Sequence, residues 1–405
     1  MSHGPFDALP ASPFARLRAL LEGCEPGDSP LSMAIGEPQH APPGFVLEAL
    51  QNNLVDYGRY PPVGGTPEWR AAVEGWLARR FKLDLTTGLL AQAAQILPLN
   101  GTREGLFMAA QVAPPKTQGL MAMPNPFYQV YASAALAAGA QPIYLDAPEE
   151  NGFLPDLAAL TPDILARLRA LYLCSPANPQ GAIADKAYLR KAYELAKKHD
   201  ILLLVDECYS EIYDSDFETA PPPSMVQVMA EAQDSDAPVM VFHSLSKRSN
   251  LPGLRSGFVA GGTSAMARLN KLRMVAGPQS PLPVQQAAAL AWQDDAHVAE
   301  NRAAYRAKLD IAEQVFGTAY GFTRPPGGFF LWLNVGDGEA ATQTLWREAG
   351  IRVLPGAYLT QDSPSGDNIG APYIRVALVA SVEQTRAGLE KLKACLDAHP
   401  IKGGA

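Results

Sequence analysis

The residues best suited to chemistry follow an apolar run in the middle of the chain. Lys247 lies in a polar turn after the β-rich run 239–242, and Arg255 lies eight residues further on. A lysine amine at the exit of a strand can form a Schiff base with a carbonyl compound. The planar fork of an arginine suits a phosphate, and the hydroxyls of Ser244 and Ser246 add donors for the same anion. This combination predicts a seat for pyridoxal phosphate, and the alternative is a solvated loop lysine beside a surface arginine.

An acid ends a second apolar run. Asp206 directly follows residues 201–205, which are all apolar. A buried carboxylate is costly unless a cation pairs with it, and a protonated pyridine nitrogen would be such a cation. The carboxylate would keep the ring protonated and electron-withdrawing, and Tyr209 could donate to the phenolate oxygen of the same ring. The alternative is that Asp206 caps the following helix.

Two further motifs follow apolar runs. Asn178-Pro179 ends one of them, and the asparagine could hydrogen-bond the phenolate oxygen, with a cis peptide bond before Pro179 helping to aim its side chain. Gly101-Thr102-Arg103 opens a helix after another run. Glycine permits close approach of the backbone, and the free N–H groups of a first helical turn favour an anion. An ordinary turn and an ordinary helix start are the alternatives.

Aromatic and basic residues complete the candidate set. Tyr128, next to Phe127, offers a face for a flat ring, although such aromatic residues are more often part of a core. Arg375 lies in a strand-like run of the last third, where a partly buried guanidinium would clamp a substrate α-carboxylate with two hydrogen bonds. The alternative for Arg375 is an edge-strand residue that faces water.

The elements that must position these residues alternate between short apolar runs and helical patterns. This pattern predicts an α/β fold with a mainly parallel sheet and helices on both faces, followed by a smaller α/β unit. Ligands of such sheets gather beyond the carboxyl ends of the strands, where each residue singled out above lies. The expected strands are 94–99, 120–123, 141–145, 170–174, 201–205, 239–242, 257–260, 328–334, 351–354 and 373–378. The expected helices are 12–21, stretches within 43–90, 102–111, 128–138, 184–199, a long zone over 284–316 and a C-terminal helix from Ser381.

The composition narrows the class of protein. The 405 residues exceed the usual size of one core, and we expect an N-terminal arm (1–45), a large domain (46–285) and a small domain (286–405). A net charge of −8 argues against nucleic-acid binding. We find no signal-peptide pattern, no apolar run long enough to cross a bilayer and no metal-binding spacing of cysteines, so we expect a cytoplasmic protein without a metal. Cys174 and Cys208 follow strands and are expected to be small buried side chains.

The order of these motifs resembles that of the class I/II aminotransferases, pyridoxal-phosphate enzymes of fold type I, over essentially the whole chain. The resemblance rests on Gly-Thr-Arg, an aromatic residue, Asn-Pro, Asp-x-x-Tyr, Ser-x-Ser-Lys, an arginine eight residues after the lysine and a late arginine. It implies a seven-stranded-type sheet, a homodimer with shared active sites, and a ping-pong reaction in which an amino donor and a 2-oxo acid acceptor exchange an amine. Lys247 would hold the cofactor as an aldimine and then move the proton at the substrate Cα.

The resemblance also implies a role for each residue. Asp206 matches the partner of the pyridine nitrogen, Arg375 matches the clamp of the α-carboxylate, and Gly36 matches the N-terminal segment that closes over the substrate. Tyr60 matches a tyrosine that reaches the phosphate of the neighbouring subunit, and Tyr128 is the preferred stacking ring. The phenolate oxygen would be bound by Asn178 and Tyr209, and the phosphate by Gly101, Thr102, Arg103, Ser244 and Arg255.

The string His243-Ser-Leu-Ser-Lys-Arg-Ser-Asn-Leu-Pro-Gly-Leu-Arg-Ser-Gly-Phe-Val-Ala-Gly261 is most similar to bacterial N-succinyldiaminopimelate aminotransferases of lysine biosynthesis. It implies N-succinyl-L,L-2,6-diaminopimelate as donor and 2-oxoglutarate as acceptor. Both substrates carry a distal carboxylate, for which Arg59, Arg248, Arg273 and Arg352 are candidates. The alternatives are a broad-specificity aspartate, aromatic or kynurenine-type aminotransferase, a C–S β-lyase on the same cofactor, and a regulator without enzymatic activity.

Overall fold

The computed structural model describes residues 4, 7, 9, 11–84, 95–363 and 365–401. Residue 94 and the end of the helical stretch expected over 43–90 lie outside this part of the chain. The described strands are β1 (Leu31–Ser32), β2 (Ile96–Leu99), β3 (Leu120–Asn125), β4 (Gln141–Asp146), β5 (Leu168–Cys174), β6 (Leu202–Asp206), β7 (Val239–Ser244), β8 (Gly257–Gly261), β9 (Phe330–Asn334), β10 (Ile351–Arg352), β11 (Leu354–Pro355) and β12 (Tyr373–Ala377).

Helices alternate with most of these strands. They are α1 (Pro13–Leu20), α2 (Gly44–Asn52), α3 (Pro67–Phe81), α4 (Thr102–Gln111), α5 (Gln129–Ala137), α6 (Pro162–Arg167), α7 (Lys186–His199), α8 (Met225–Glu231), α9 (Leu245–Arg248), α10 (Thr263–Ala276), α11 (Leu282–Gln293), α12 (Ala296–Phe316), α13 (Gly338–Ala349) and α14 (Val382–Ala398). Short 3₁₀ helices, among them Leu54–Gly58, join several of them.

Seven strands form the large sheet in the order β2-β8-β7-β6-β5-β3-β4. The pairs from β7 to β4 are parallel, and β8 runs antiparallel to both β2 and β7. Because β5, β6 and β7 are adjacent and parallel, their carboxyl ends meet at one edge of the sheet. The predicted mainly parallel sheet is confirmed.

Both faces of the large sheet are buried, as its continuous apolar strands require. Along β6, Leu203 and Val205 belong to one core cluster and Leu202 and Leu204 to another, in keeping with side chains that alternate between the faces of a strand. Helix α3 packs on the first face through Trp76, which is almost fully buried. Helices α4 and α5 contribute to the cluster on the second face.

A smaller body follows α11. Strands β11, β12 and β9 form an antiparallel sheet, and β1 pairs in parallel with β10. Helices α12, α13 and α14 share one core cluster with these strands. The early strand β1 is therefore part of the body built by the last third of the chain. The domain boundaries expected at residues 45 and 285 stay a prediction.

Local signals explain several element boundaries. Asp185 caps α7 by accepting from the backbone N–H of Tyr188, and so the helix begins after the predicted residue 184. Ser381 and Gln384 form a capping box at the start of α14. Helix α4 has the predicted bounds 102–111.

Two expectations for the last third of the chain are wrong in detail. The helical zone over 284–316 is two helices, because the backbone leaves the helical conformation at Asp294, the C-cap of α11, before α12 begins. The strand expected over 351–354 is divided into β10 and β11, which pair with different sheets. Within the described residues, no helix combines the length and hydropathy needed to cross a membrane.

Candidate active site

A cavity of about 830 Å³ lies beyond the carboxyl ends of β5, β6 and β7. It also reaches the first turn of α4, the start of α5, α9, β12 and the segment after β1. Most predicted site residues line it, namely Gly36, Thr102, Arg103, Tyr128, Asn178, Asp206, Tyr209, Ser244, Lys247, Arg255 and Arg375. Residues far apart in the sequence therefore meet at the edge of the sheet where the sequence places them.

Asp206 is the buried acid of the cavity. Its carboxylate accepts hydrogen bonds from the Tyr131 hydroxyl at 2.8 Å and from the backbone N–H of Cys208 at 3.2 Å. Burial raises the pKa of the Asp206 carboxyl, and the hydrogen bonds from Cys208 and Tyr131 oppose that rise. No described lysine, arginine or histidine forms an ion pair with it. A cationic ring nitrogen would supply the missing partner.

Lys247 lies on the one-turn helix α9, directly after the buried strand β7. Its ammonium donates to the carbonyl oxygen of Gly36 and lies 5.4 Å from the centre of the Phe329 ring. Burial lowers the pKa of Lys247 from 10.5 to about 8, and the nearby Arg375 adds to the effect. A substantial fraction of the amine is therefore neutral just above neutral pH, as a nucleophile or general base requires.

An anion cradle lies between the start of α4 and the turn after α9. Gly101 has a φ of 79°, and a Cβ at this position would collide with the Arg255 guanidinium, so only glycine fits. Arg255 is held by the carbonyl oxygens of Pro252, at 2.7 Å, and Asn100, at 3.3 Å. The Ser244 hydroxyl donates to that of Ser246 at 2.9 Å. Gly101 is thus beside the cavity rather than among the residues that line it.

Arg375 and Asn178 are brought together at the far side of the cavity. One Arg375 nitrogen donates to the Asn178 side-chain oxygen at 3.2 Å and the other to the carbonyl oxygen of Ala34 at 2.8 Å. Arg375 lies on β12, the central strand of its sheet, and is only 5% exposed. The edge-strand alternative is therefore wrong. The peptide bond Asn178–Pro179 is cis, as predicted.

Aromatic side chains form a further wall. Tyr128 lines the cavity, and its hydroxyl accepts a hydrogen bond from Arg103 at 2.5 Å. Phe127 also reaches the cavity but packs against Tyr144, with ring centres 4.9 Å apart. Tyr60 lies outside the cavity of its own chain and is fully exposed.

Sequence reasoning missed Tyr131 and misjudged two cysteines. Tyr131 stacks on Tyr172, with ring centres 4.5 Å apart, and its hydroxyl donates a hydrogen bond to the Asp206 carboxylate. Cys174 and Cys208 line the cavity and are partly exposed, so the expectation of buried side chains is wrong for both. Cys208 and Cys174 lie at the same sheet edge as Asp206 and Asn178, two residues after the first and four residues before the second. Their closeness in the sequence to these predicted site residues is the signal that could have placed both cysteines at the cavity.

The arginines considered for a distal carboxylate do not line the cavity. Arg248 is buried and donates to the carbonyl oxygen of Ala291 at 2.6 Å, which commits it to α11. Arg273 is buried and pairs with Glu104. Arg352 lies over the ring of Trp346. Arg59 alone among these four keeps a mainly exposed side chain.

A seven-stranded, mostly parallel sheet with a lysine and a buried acid at its edge defines the class of fold type I pyridoxal-phosphate enzymes. The sequence model described as Aminotransferase class I and II matches residues 29–392. The chain therefore belongs to the class I and II aminotransferases, and pyridoxal phosphate is its cofactor. The proposed resemblance to this family is confirmed.

Relatives and solved structures agree with this assignment. The chain is 31% identical to an LL-diaminopimelate aminotransferase from Dehalococcoides mccartyi, over 90% of this chain and 91% of the relative. It is also 31% identical to 4-dedimethylamino-4-oxo-anhydrotetracycline transaminase OxyQ from Streptomyces rimosus, over 90% and 93% of the two chains. The crystal structure of an aminotransferase from Neisseria meningitidis superposes with a TM-score of 0.88 at 34% identity, over 96% of this chain and 98% of the other.

Proposed function

We propose that the protein transaminates a long amino acid of the diaminopimelate type, with N-succinyl-L,L-2,6-diaminopimelate as donor and 2-oxoglutarate as acceptor. The observation that carries the proposal is the buried guanidinium of Arg375, fixed by Asn178 in the same cavity as Lys247. A guanidinium held there would bind an α-carboxylate with two hydrogen bonds. Apolar side chains of Phe14, Ile35 and Leu359 also line the cavity and would suit the methylene chain of a long donor.

We propose the following division of work among the residues. Bound pyridoxal phosphate supplies an electron sink for the negative charge that develops at the substrate Cα. Lys247 would hold the cofactor, and its free amine would then take and return the Cα proton. Asp206 would keep a proton on the ring nitrogen, because its carboxylate has no cationic partner among the described residues. Arg375 orients the substrate so that its Cα–H bond faces Lys247.

The remaining contacts would hold the cofactor in place. Tyr128 would cover one face of the ring, and Asn178 and Tyr209 would bind its phenolate oxygen. The cradle formed by Gly101, Thr102, Arg103, Ser244 and Arg255 would hold the phosphate. These assignments rest on the fit between an anion and the donors described above.

We propose that the enzyme is a homodimer. Exposed apolar side chains lie on α2, the 3₁₀ helix Leu54–Gly58 and α11, and α11 packs against both of the other elements. We call this surface the apolar patch; it comprises Leu47, Leu54, Val55, Tyr57 and Leu290. Such a surface is typical of a subunit interface. Tyr60 and Arg59 directly follow the patch. In the dimer, Tyr60 would reach the phosphate of the partner subunit's site, and Arg59 would bind the distal carboxylate of its substrate.

A second candidate donor is L,L-diaminopimelate without the succinyl group. Glu37 lines the cavity with an exposed carboxylate, which would attract the free distal ammonium of such a donor. The relative from Dehalococcoides mccartyi carries the name of an enzyme for this substrate.

The test is the absorption spectrum of the purified protein mixed with single amino donors in the absence of an acceptor. We expect N-succinyl-L,L-diaminopimelate to convert the bound cofactor to its amine form faster than L,L-diaminopimelate, aspartate, glutamate or phenylalanine. Faster conversion by L,L-diaminopimelate would support the second candidate, and faster conversion by a common amino acid would refute both. The Lys247→Ala variant controls for conversion that does not depend on the active-site lysine.

A further inference from the structure

Residues 34–40 belong to the N-terminal segment 1–45, and from here on only these seven residues are called the arm. The arm lines the cavity through Ile35, Gly36 and Glu37 and is held in place at both ends. At its first end, the backbone N–H of Met33 donates to the carbonyl oxygen of Arg352 at 2.8 Å, and β1 pairs with β10. Within the arm, the carbonyl oxygen of Ala34 accepts from Arg375, and that of Gly36 accepts from Lys247. The arm therefore contacts two residues to which substrate binding and proton transfer are assigned above.

His40 ends the arm in a hydrogen-bonded chain that leads back to Lys247. The Lys308 ammonium lies 2.6 Å from His40 Nε2, and His40 Nδ1 lies 3.0 Å from the Asn301 side-chain oxygen. The Asn301 amide nitrogen in turn lies 3.0 Å from the carbonyl oxygen of Lys247 and 3.2 Å from that of Arg248.

The donors and acceptors of these groups fix the direction of each hydrogen bond between Lys308 and the Lys247 backbone. A lysine ammonium has only donors, so His40 accepts at Nε2 and carries its proton on Nδ1. The Nδ1–H then donates to the Asn301 oxygen, which leaves the Asn301 amide to donate to the Lys247 backbone. Neutral His40 fits both neighbours, whereas a doubly protonated ring would have no acceptor for Lys308.

Asn301 and Lys308 are buried, and His40 is partly buried. Lys308 is fully buried, its other acceptor is the carbonyl oxygen of Leu378 at 3.1 Å, and no described carboxylate forms an ion pair with it. Burial and the charge of Lys308 lower the pKa of His40, and burial lowers that of Lys308 to about 8. The Tyr305 ring also faces His40, with ring centres 4.8 Å apart.

We infer that His40, Asn301 and Lys308 are positioning residues that anchor the arm over the cavity and couple it to the backbone of Lys247. None of them lines the cavity, so they act through Gly36, Lys247 and Arg375 rather than on the substrate. The inference rests on the aminotransferase reaction proposed above. It also predicts that the backbone of the arm is protected from amide hydrogen exchange, which can be measured without any substrate.

The experiment compares His40→Phe with the double variant His40→Phe/Lys308→Met. Phenylalanine keeps the packing on Tyr305 and removes both hydrogen bonds, while methionine removes the buried amine that would lose its acceptor. The double variant therefore separates the loss of the hydrogen bonds made by His40 from the cost of leaving the Lys308 ammonium without an acceptor. His199→Phe, at the end of α7, is the matched control.

In the cofactor-loaded double variant we expect a melting temperature close to that of the wild type, together with faster amide hydrogen exchange over residues 34–40. The KM for the amino donor should rise about tenfold with a smaller change in kcat, because the arm positions the substrate. The pKa of His40 is lowered below its ordinary value of 6.5, so the ring gains a proton only at acid pH. In the wild type, KM should therefore also rise as the pH falls below the ordinary histidine value, and this rise should be absent from the double variant.

Unchanged hydrogen exchange in the arm would overturn the anchoring, whichever substrate the enzyme uses. Faster exchange with an unchanged KM would overturn the coupling to the site. Recovery of wild-type kinetics in the double variant relative to His40→Phe would show that these residues serve only the stability of the fold. A protein that fails with every donor but still shows faster exchange in the arm would refute the proposed function and leave the anchoring intact.

Discussion

At the scale of single residues, the site places ionisable groups where water no longer solvates them. Asp206 is 6% exposed and has two hydrogen-bond donors but no cationic partner among the described residues. Lys247 has a lowered pKa for the same reason. Each group is costly in the cofactor-free protein, and each cost falls when the cofactor supplies the opposite charge or a covalent bond.

This cost predicts the behaviour of Asp206→Asn. The raised pKa of Asp206 means that its contribution to stability is greatest below its ordinary pKa of 3.8 and is lost as the pH rises through the raised value. Asparagine does not titrate. We therefore expect the free energy of unfolding of the cofactor-free variant to exceed that of the wild type by about 1 kcal/mol at pH 8. At pH 3 this difference should be smaller.

The same substitution should lower kcat by about a hundredfold, because the ring nitrogen loses its counter-charge. Chemical denaturation at the two pH values and steady-state kinetics at pH 8 measure both effects. A wild-type rate would show that the acid is only structural.

Most residues of the site could be predicted from the sequence because each follows a recognisable apolar run. The position of Lys247, Asp206 and Asn178 at strand ends was enough to bring them together. Tyr131 could not be found in this way, since its role depends on which face of α5 turns toward Asp206. That orientation is set by the stacking of Tyr131 on Tyr172, a contact between distant parts of the sequence.

At the scale of elements, the short helix α9 is fixed from behind by a buried arginine. Arg248 donates to the carbonyl oxygens of Ala291 and Asp294 and lies 5.0 Å from the ring centre of Trp292. These partners form the end of α11 and its link to α12. Arg248 therefore joins the turn that carries Lys247 to the junction of the two bodies.

We expect Arg248→Met to lower the free energy of unfolding by about 2–3 kcal/mol, because it leaves buried carbonyl oxygens without donors. The KM for the donor should change little, since the side chain points away from the cavity. The comparison variant is Arg79→Met, which removes an exposed ion pair with the same Asp295 and hydrogen bonds to the carbonyl oxygens of Trp292 and Gln293. Because these contacts are more accessible to water than those of Arg248, it should cost less than Arg248→Met.

Urea denaturation and donor kinetics of both variants make this comparison. A large rise in KM for Arg248→Met with unchanged stability would return Arg248 to the candidates for a substrate carboxylate.

Most helices and strands were predictable from the sequence, and the boundaries that were predicted wrongly have a common cause. Helix α4 has the predicted bounds because Gly101 and the preceding apolar run mark its start. The division of residues 351–354 was not predictable, because β10 pairs with the distant β1 while β11 pairs with β12. Pairing partners decide such boundaries, and a local pattern does not contain them.

At the scale of the whole molecule, the apolar patch predicts the effect of Val55→Glu. Val55 is 82% exposed, and a charge there would be buried without a partner in a homodimer. We expect the variant to sediment as a monomer and to lose most of its activity, because each site would lack Tyr60 of the partner subunit. Analytical ultracentrifugation at matched concentrations measures the change.

Val382→Glu, at the start of α14, places the same charge on an exposed valine outside the patch. It should leave the sedimentation coefficient unchanged. A dimeric Val55→Glu protein with full activity would exclude the patch as the interface.

The same dimer predicts a selective effect of Arg59→Gln. If Arg59 binds the distal carboxylate in the neighbouring site, KM should rise about tenfold or more for 2-oxoglutarate and succinylated donors. The KM for phenylalanine, which has no distal carboxylate, should not change. Steady-state kinetics with the three substrates test this expectation, and Arg190→Gln, on the exposed side of α7, is the control. An equal change for phenylalanine would contradict a role in selectivity.

The pairing of β1 with β10 has a consequence for the synthesis of the chain on the ribosome. Strands β2 to β8 are neighbours of one another, so the large sheet can form while the last third is still being translated. Strand β1 leaves the ribosome early but has no partner until residues 351–352 emerge, and Arg375 follows later still. The nascent protein therefore has its lysine and its phosphate cradle long before it has a closed substrate pocket, and only the finished chain can choose among amino acids.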